Sequence, residues 1–294
     1  MTRLELVILA PGPLTTVQDL GRPGLAALGV GASGAADRGS LRLANRLVGN
    51  VEGAAGLELT LGGLQVRVDG VGDGAGAGAA IVALTGAACP VTVGGRSVGM
   101  NGPVAVRSGE VIVVGVPTEG VRTYLAVRGG VAVPPVLGAR STDTLSGLGP
   151  EPVRVGSVLP IGSETTGFPV VDQAPVRRLA GDAVLRVVPG PRADWFDPDA
   201  LRTLGADPYV VTAESNRIGV RLDGPELRRT ESAELPPEGM VRGALQVPPS
   251  GRPVLLLADH PVTGGYPVIG VVADADVDRA GQLRPGDRVR FRVR

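Results

Sequence analysis

Short runs of valine, leucine and isoleucine recur along the chain, each closed off by glycine, proline, aspartate or asparagine. In the first half they occupy residues 64–68, 81–84, 104–106, 111–114 and 124–127. In the second half they occupy 185–188, 209–212, 218–222, 254–257, 268–272 and 288–293. Runs this short, set between turn formers, predict strands, and a long succession of them predicts barrels or sandwiches. Helical periodicity is scarce. Residues 37–50, DRGSLRLANRLVGN, put Leu41, Ala44, Leu47 and Val48 on one face, with Asp37 as N-cap and Gly49 and Asn50 suited to a left-handed stop. DPDALRTLG (197–205) offers Asp197 as cap and Pro198 at the first helical position, and ADVDRAGQL (275–283) adds one more turn.

Two segments interrupt the strand texture. GDGAGAGAA (72–80) is of low complexity and reads as a mobile hairpin loop. The stretch 162–181 is polar, contains proline and has no sustained period, so the domain boundary is placed there. The expected architecture is mostly β, with one β-rich domain over 1–165 and a second over 180–294.

Composition sharpens this. The 46 glycines and 26 prolines make about a quarter of the chain, which favours tight turns over long helices. All 29 basic residues are arginine. The absence of lysine excludes a Schiff-base lysine, a P-loop lysine over nucleotide phosphates and a biotinylated lysine. Zero net charge without a basic run argues against a nucleic-acid surface. Cys89 and His260 stand alone, so neither an internal disulfide nor a cysteine–histidine zinc cage can form, and no metal site is expected. The apolar run from Leu4 to Ala10 is interrupted by Glu5 and followed by Pro11 and Pro13, too short for a signal segment. The expectation is a cytoplasmic, reduced protein with no membrane association.

Three stretches carry candidate chemistry. Residues 15–37 are too polar and glycine-rich for a core strand and read as loops that bring Gln18, Asp19, Arg22 and Asp37 to a ligand; the alternative is a turn network in which Asp19 and Arg22 pair locally. SNRIGVRLDG (215–224) sets Asn216 and Arg217 at a turn, with Arg221 at even spacing on the next strand. Two guanidiniums then face one pocket and hold a carboxylate or phosphate, or else both are solvated on an outer face. In 238–267, Gln246 precedes a Pro-Pro-Ser-Gly turn and an apolar strand delivers Asp259 and His260 to its end. Thr263, Gly264, Gly265 and Tyr266 follow, offering a hydroxyl, two approachable amides and a phenol. A carboxylate beside a glycine turn suits general-base or orienting work, with Gln246 and Tyr266 as its catalytic companions, whereas the plain alternative is a β-turn lidded by Tyr266. Convergence of Asp19, Arg22, Arg217, Gln246, Asp259 and Tyr266 on one pocket is expected.

An ordered set of motifs spans the chain: QDLGRPG (18–24), SGAAD (33–37), LANRLVGN (43–50), LELTLGG (57–63), VLGARSTDT (136–144), VVPGPRADWF (187–196), SNRIGVRLDGP (215–225), EGMVRGALQVPPSGRPVLLLAD (238–259), TGGYP (263–267) and QLRPGD (282–287). Together they resemble the biotin-dependent carboxyltransferase-domain family. That family includes the C subunit of 5-oxoprolinase, KipA-type antagonists of a kinase inhibitor, proteins called allophanate hydrolase subunit 2 and part of urea carboxylase. The resemblance implies two β-rich domains, the C-terminal one a cyclophilin-like barrel. It also implies work beside two partners, a KipI-like protein and a LamB/YcsF-like protein, with ATP used through the complex to open 5-oxoproline to glutamate. The alternatives it carries are carboxyl transfer to urea, with carboxybiotin arriving on another chain, and a non-catalytic regulatory role. Asp19, Arg22, Asp37, Asn45, Asn50, Arg140, Asn216, Arg217, Arg221, Gln246, Asp259, Thr263, Gly264, Gly265 and Tyr266 stand at matching positions. The chain departs from the family pattern at Ala36, where a methionine is usual, and at Pro261 and Val262, which leave Thr263 without a preceding threonine.

Overall fold

The structure is a computed structural model that describes residues 3–71, 78–175, 179, 181–231 and 233–294. Residues 72–77 of the expected hairpin loop, and 176–178 and 180 of the expected boundary, lie outside the described residues. The chain divides into two compact units. The first comprises Met1–Arg22, Asp37–Thr142 and Gly147–Leu179, and the second Pro23–Ala36, Asp143–Ser146 and Ala180–Arg294. Two early segments therefore belong with the C-terminal half, an arrangement that composition shifts along a sequence do not register.

The strands of the first unit are β1 (Arg3–Pro11), β2 (Leu14–Gln18), β3 (Gly56–Thr60), β4 (Leu64–Val71), β5 (Ala79–Gly86), β6 (Val91–Val93), β7 (Arg96–Val98), β8 (Pro103–Arg107), β9 (Val111–Val114), β10 (Arg122–Val127) and β11 (Val158–Pro160). They form a six-stranded sheet, β11-β1-β4-β9-β6-β7, and a five-stranded sheet, β2-β3-β10-β5-β8. Alternate residues of both sheets, among them Leu6, Ile8, Val66, Leu57, Val82 and Leu125, fill one core. Helix α1 (Arg38–Leu47) covers the other face of the second sheet, where Ala44, Leu47 and Val48 meet Ala83 and Ala126. Buried on both faces, β10 loses its alternation, and after the buried Arg122 and Thr123 it runs on through Tyr124, Leu125, Ala126 and Val127. As expected, Asp37 caps α1, accepting from the Ser40 amide at 3.0 Å, and Gly49 beyond it is left-handed with φ 71°.

One expectation is corrected here. Residues 14–18 form a buried strand rather than a loop, and the folded chain supplies acceptors for the side-chain donors of Thr15 and Gln18. Thr15 Oγ1 donates to Pro11 O at 2.7 Å, and Gln18 Nε2 donates to Thr142 O at 2.8 Å.

The second unit contains β12 (Ala183–Pro189), β13 (Tyr209–Val211), β14 (Gly219–Asp223), β15 (Glu238–Gly239), β16 (Ala244–Gln246), β17 (Val254–Leu256), β18 (Thr263–Gly264), β19 (Val268–Val272) and β20 (Arg288–Val293). Seven of them close a barrel in the order β12-β19-β16-β17-β14-β13-β20, the cyclophilin-like architecture that the resemblance implies. The seam is the parallel pair β12–β20, with Val184 opposite Arg290. Leu185, Val220, Leu245, Leu255, Ile269 and Phe291 fill the interior, and Phe291 meets Tyr209 edge-on at 5.7 Å between ring centroids. Helices α2 (Ala200–Ala206) and α3 (Asp274–Ala280) pack on the barrel, and β15 and β18 form a separate two-stranded ribbon. Asp197 does not cap α2. Its Oδ1 accepts from the Asp199 amide at 2.9 Å in a turn of its own, which delays the helix to Ala200 with Asp199 at the cap position. Among the described residues no helix is long and apolar enough to cross a membrane.

Candidate functional site

The candidate residues fall into groups that belong to one unit or the other. In the first unit, the loop after β2 turns at Asp19. Its Oδ1 accepts from the Gly21 amide at 2.7 Å and from the Ser141 hydroxyl, and its Oδ2 accepts from the Arg140 amide at 2.6 Å. Arg22 is buried and grips the same segment, with Nη2 donating to Ser141 O at 2.5 Å and Nε to Val136 O at 3.4 Å. The two side chains do not pair with each other; each binds the 136–141 segment. Two polar atoms here are buried without a hydrogen-bond partner among the described residues: the donor Arg22 Nη1 and the acceptor Gln18 Oε1. Asp37 is committed to capping α1, and its amide receives no solvent because it donates to the buried Tyr124 hydroxyl at 2.8 Å. Burial and the nearby Glu58 and Asp37 charges push that phenol well above its ordinary pKa, so it stays protonated and donates to Glu58 Oε2 at 2.7 Å. Asn45 and Asn50 tie α1 to its surroundings: Asn45 Nδ2 donates to Ala54 O at 2.7 Å and Asn50 Nδ2 to Val127 O at 2.8 Å.

In the second unit, the chain leaving β17 buries Asp259 among five hydrogen bonds. Oδ1 accepts from Ser33 Oγ at 2.7 Å and Arg217 Nη2 at 3.0 Å. Oδ2 accepts from Arg217 Nε at 2.9 Å, Thr144 Oγ1 at 2.7 Å and the Thr144 amide at 3.0 Å. Burial alone pushes this carboxyl up. The Arg217 charge and hydrogen bonds, with those of Thr144, outweigh burial and hold it below the usual carboxylate range. Arg217 Nη2 also donates to Gly34 O at 2.7 Å, so the ion pair fastens segments 23–36 and 143–146 to the barrel unit. Ser33 and Thr144 were not singled out from the sequence. They lie within the SGAAD and VLGARSTDT motifs, whose hydroxyl-bearing positions were the available signal.

Arg221 does not join Arg217. Val220 and Leu222 point into the barrel, so Arg221 points outward, exposed and 3.9 Å from Glu214. Strand register instead sets Arg221 opposite Val254 and Val254 opposite Gln246, which places Arg221 and Gln246 two strands apart on one outer face. Gln246 Nε2 donates to Tyr266 O at 3.3 Å beneath the β15–β18 ribbon. A Cβ on Gly264 would stand 2.4 Å from Gln246 Nε2, so any side chain at this crossing would displace the glutamine. Thr263, Gly265 and Tyr266 are exposed. Asn216 is exposed too, and its Oδ1 stabilises its own turn by accepting from the Ile218 amide at 2.8 Å. His260 places Nδ1 2.8 Å from Pro261 O.

The sequence profile of the family described as "Carboxyltransferase domain, subdomain A and B" matches residues 28–293. The chain belongs to the carboxyltransferase-domain family. Within it, the chain is 37% identical over 289 residues to the C subunit of 5-oxoprolinase from Escherichia coli (strain K12), covering 97% of this chain and 90% of that protein. The crystal structure of TTHA0988 superposes with a TM-score of 0.86 at 35% identity, and that of the K. lactis urea amidolyase with 0.89 at 31% identity. Each covers 99% of this chain, while this chain spans 56% of the first and 19% of the second. Two departures from the carboxyltransferase-domain pattern have structural places. Ala36 is buried, with its carbonyl accepting from Arg242 Nη2 at 2.9 Å, and Val262 O accepts from the Met240 amide at 2.8 Å to hold the ribbon.

Proposed function

We propose that this chain is the C subunit of a 5-oxoprolinase complex, which uses ATP to open 5-oxo-L-proline to L-glutamate, and that it supplies part of the substrate pocket. The observation that carries this reading is the end-to-end likeness to the E. coli protein, 97% of one chain against 90% of the other. A lactam presents one carbonyl acceptor and one N–H donor, and loses the resonance between them as the ring opens. Arg22 Nη1 and Gln18 Oε1, an unpartnered donor and an unpartnered acceptor, have the complementary functions, and each gains by being satisfied. In this reading they recognise the lactam amide.

Asp259 has a different task from the proton acceptor that its position in the sequence suggests. Its oxygens already accept five hydrogen bonds, about as many as a carboxylate has sites for, and its lowered pKa makes it a weak base. It acts as a positioning residue, fixing the start of the loop that presents Thr263, Gly265 and Tyr266, while Gln246 anchors the far end of that loop. The residues of this group do not fit a nucleotide: Asp259 neutralises Arg217, and the chain has no lysine for phosphates. No step through ATP is therefore assigned to them, and in this reading ATP is handled with the KipI-like and LamB/YcsF-like partners.

The test is co-expression with those two candidate partners and an assay of ATP-dependent glutamate release from 5-oxoproline. The expected result is release that requires this chain and whose KM rises in Arg22→Gln. A purified three-component complex with no such activity overturns the reading. A second reading, carboxyl transfer from biotin on another chain to urea, is favoured by the TM-score of 0.89 to urea amidolyase, and a urea carboxylation assay on the same preparation addresses it.

A further inference from the structure

A cleft of about 780 Å³ in the first unit takes no part in the reading above, and its size is that of a small-molecule site. Its floor is bare backbone. A Cβ on Gly129 would lie 1.9 Å from Gly162 O, and one on Gly162 would lie 2.4 Å from Gly129 O, so both positions must be glycine and no side chain fills the cavity from below. Leu4, Ile81 and Ile161 make an apolar wall, and Phe168, 78% exposed, stands at the rim.

Two arginines give the cleft its charge. Arg128 is held by neutral acceptors: Nη1 donates to Val48 O at 3.0 Å and to Gly167 O, and Nη2 to Thr165 Oγ1 at 3.4 Å. Its guanidinium lies 4.6 Å from the centroid of the Phe168 ring. Arg3 lines the opposite strand end and is exposed. Among the described residues neither arginine has a carboxylate partner, although most other arginines of the chain that line strands or helices do. The acids nearest in sequence, Glu5 beside Arg3 and Glu119 before Arg128, do not line the cleft, and Glu164 lines a smaller adjoining cavity together with Arg140.

A cation held by neutral acceptors, as Arg128 is, keeps its charge for an incoming anion, and a concave setting with apolar walls strengthens that attraction. The exposed ring offers a stacking surface already polarised by Arg128. We propose that this cleft binds a small dianion carrying a flat ring, with its phosphate or carboxylate groups on Arg3 and Arg128 and its ring against Phe168.

Titration calorimetry on the full chain with ADP and with phthalate, each compared with neutral adenosine, tests this. The expected result is that one or both anions bind at least tenfold more tightly than adenosine, ADP alone marking a phosphorylated ligand and phthalate alone a carboxylated one. Arg3→Gln and Phe168→Ala, both at exposed positions, should each weaken that binding by about threefold or more at unchanged thermal stability. If neither anion reaches a tenfold preference, or if either substitution leaves the affinity unchanged, the proposal is overturned. Because the readout is binding to this chain alone, the outcome is independent of the oxoprolinase assay.

Discussion

Arg217 and Asp259 face each other as a closed pair, Nε on Oδ2 at 2.9 Å and Nη2 on Oδ1 at 3.0 Å, with the two side chains 2% and 0% exposed. An amide at position 259 keeps the shape but removes the charge that Arg217 requires. Breaking a buried pair by neutralising one partner costs about 3–5 kcal/mol. Asp259→Asn is therefore expected to lower the stability of the second unit by roughly that amount. Trp195 is the single tryptophan and lies in this unit, so its emission in a urea titration reports the change. A variant with wild-type stability would show that the pair is dispensable for the fold.

Acid should unfasten the same pair. The folded pKa of Asp259 lies below the ordinary carboxylate value, so on acidification the unfolded chain takes up its proton first. The contribution is complete above about pH 4 and declines as pH falls from there toward the folded pKa, with a slope of at most about 1.4 kcal/mol per pH unit for one proton. Thr144→Val removes one of the bonds that depress the folded pKa, so its acid loss should start at the same pH, set by the unfolded chain, but end at a higher pH and be smaller in total. Urea titrations from about pH 3 to about pH 7, from the carboxylate range to its neutral limit, compare the two proteins, and identical pH profiles would rule out this coupling.

The two arginines of the SNRIGVRLDG motif should behave unlike each other. Arg221→Gln, on the outer face with only the distant Glu214 beside it, is expected to change stability by no more than about 0.5 kcal/mol. Arg217→Gln leaves Asp259 buried without its counter-charge and should resemble Asp259→Asn. Equal effects at the two positions in the urea titration would contradict the inward and outward assignment.

Gly264→Ala should disturb the ribbon through Gln246. The new methyl group would fall 2.4 Å from Gln246 Nε2, so that side chain must leave its place under Tyr266. Adding Gln246→Ala restores the room, and a double-mutant cycle should give a coupling of about 0.5–3 kcal/mol. Simple additivity would mean that the two residues do not meet.

Tyr266→Phe should leave stability nearly unchanged, because the ring is already 46% exposed. If the phenol meets substrate, loss of one neutral hydrogen bond, about 0.5–1.5 kcal/mol, should slow glutamate release by the complex roughly threefold to tenfold. Unchanged kcat and KM would remove Tyr266 from the site.

The valine-rich runs revealed the strands of the barrel and of the sandwich because alternate burial leaves a periodic trace, as in β20, where Val289 and Phe291 point inward between exposed arginines. Strand β2 was hidden because Val17 is joined by the buried polar residues Thr15, Thr16 and Gln18, and the acceptors for Thr15 and Gln18, Pro11 O and Thr142 O, are set by the folded chain. Asp259 was legible as a residue of consequence from its place after an apolar strand. Its role was not, since the partners that saturate it, Ser33, Thr144 and Arg217, lie 42 or more residues away in sequence. For the same reason Arg221 looked equivalent to Arg217 until the register of β14 and β17 showed which way each points.

The parallel seam between β12 and β20 has a consequence for how the barrel comes into being. Closing it requires residues 183–187 to find 289–293, a long-range pairing that must be reached after loop-closure entropy has been lost. During synthesis the six earlier barrel strands emerge before their seventh, and until Arg288–Val293 arrives the edges of β12 and β13 are open to other chains. Arginines at alternate positions of β20, at 288, 290 and 292, make that last strand a poor template for pairing with itself, which favours closure over aggregation.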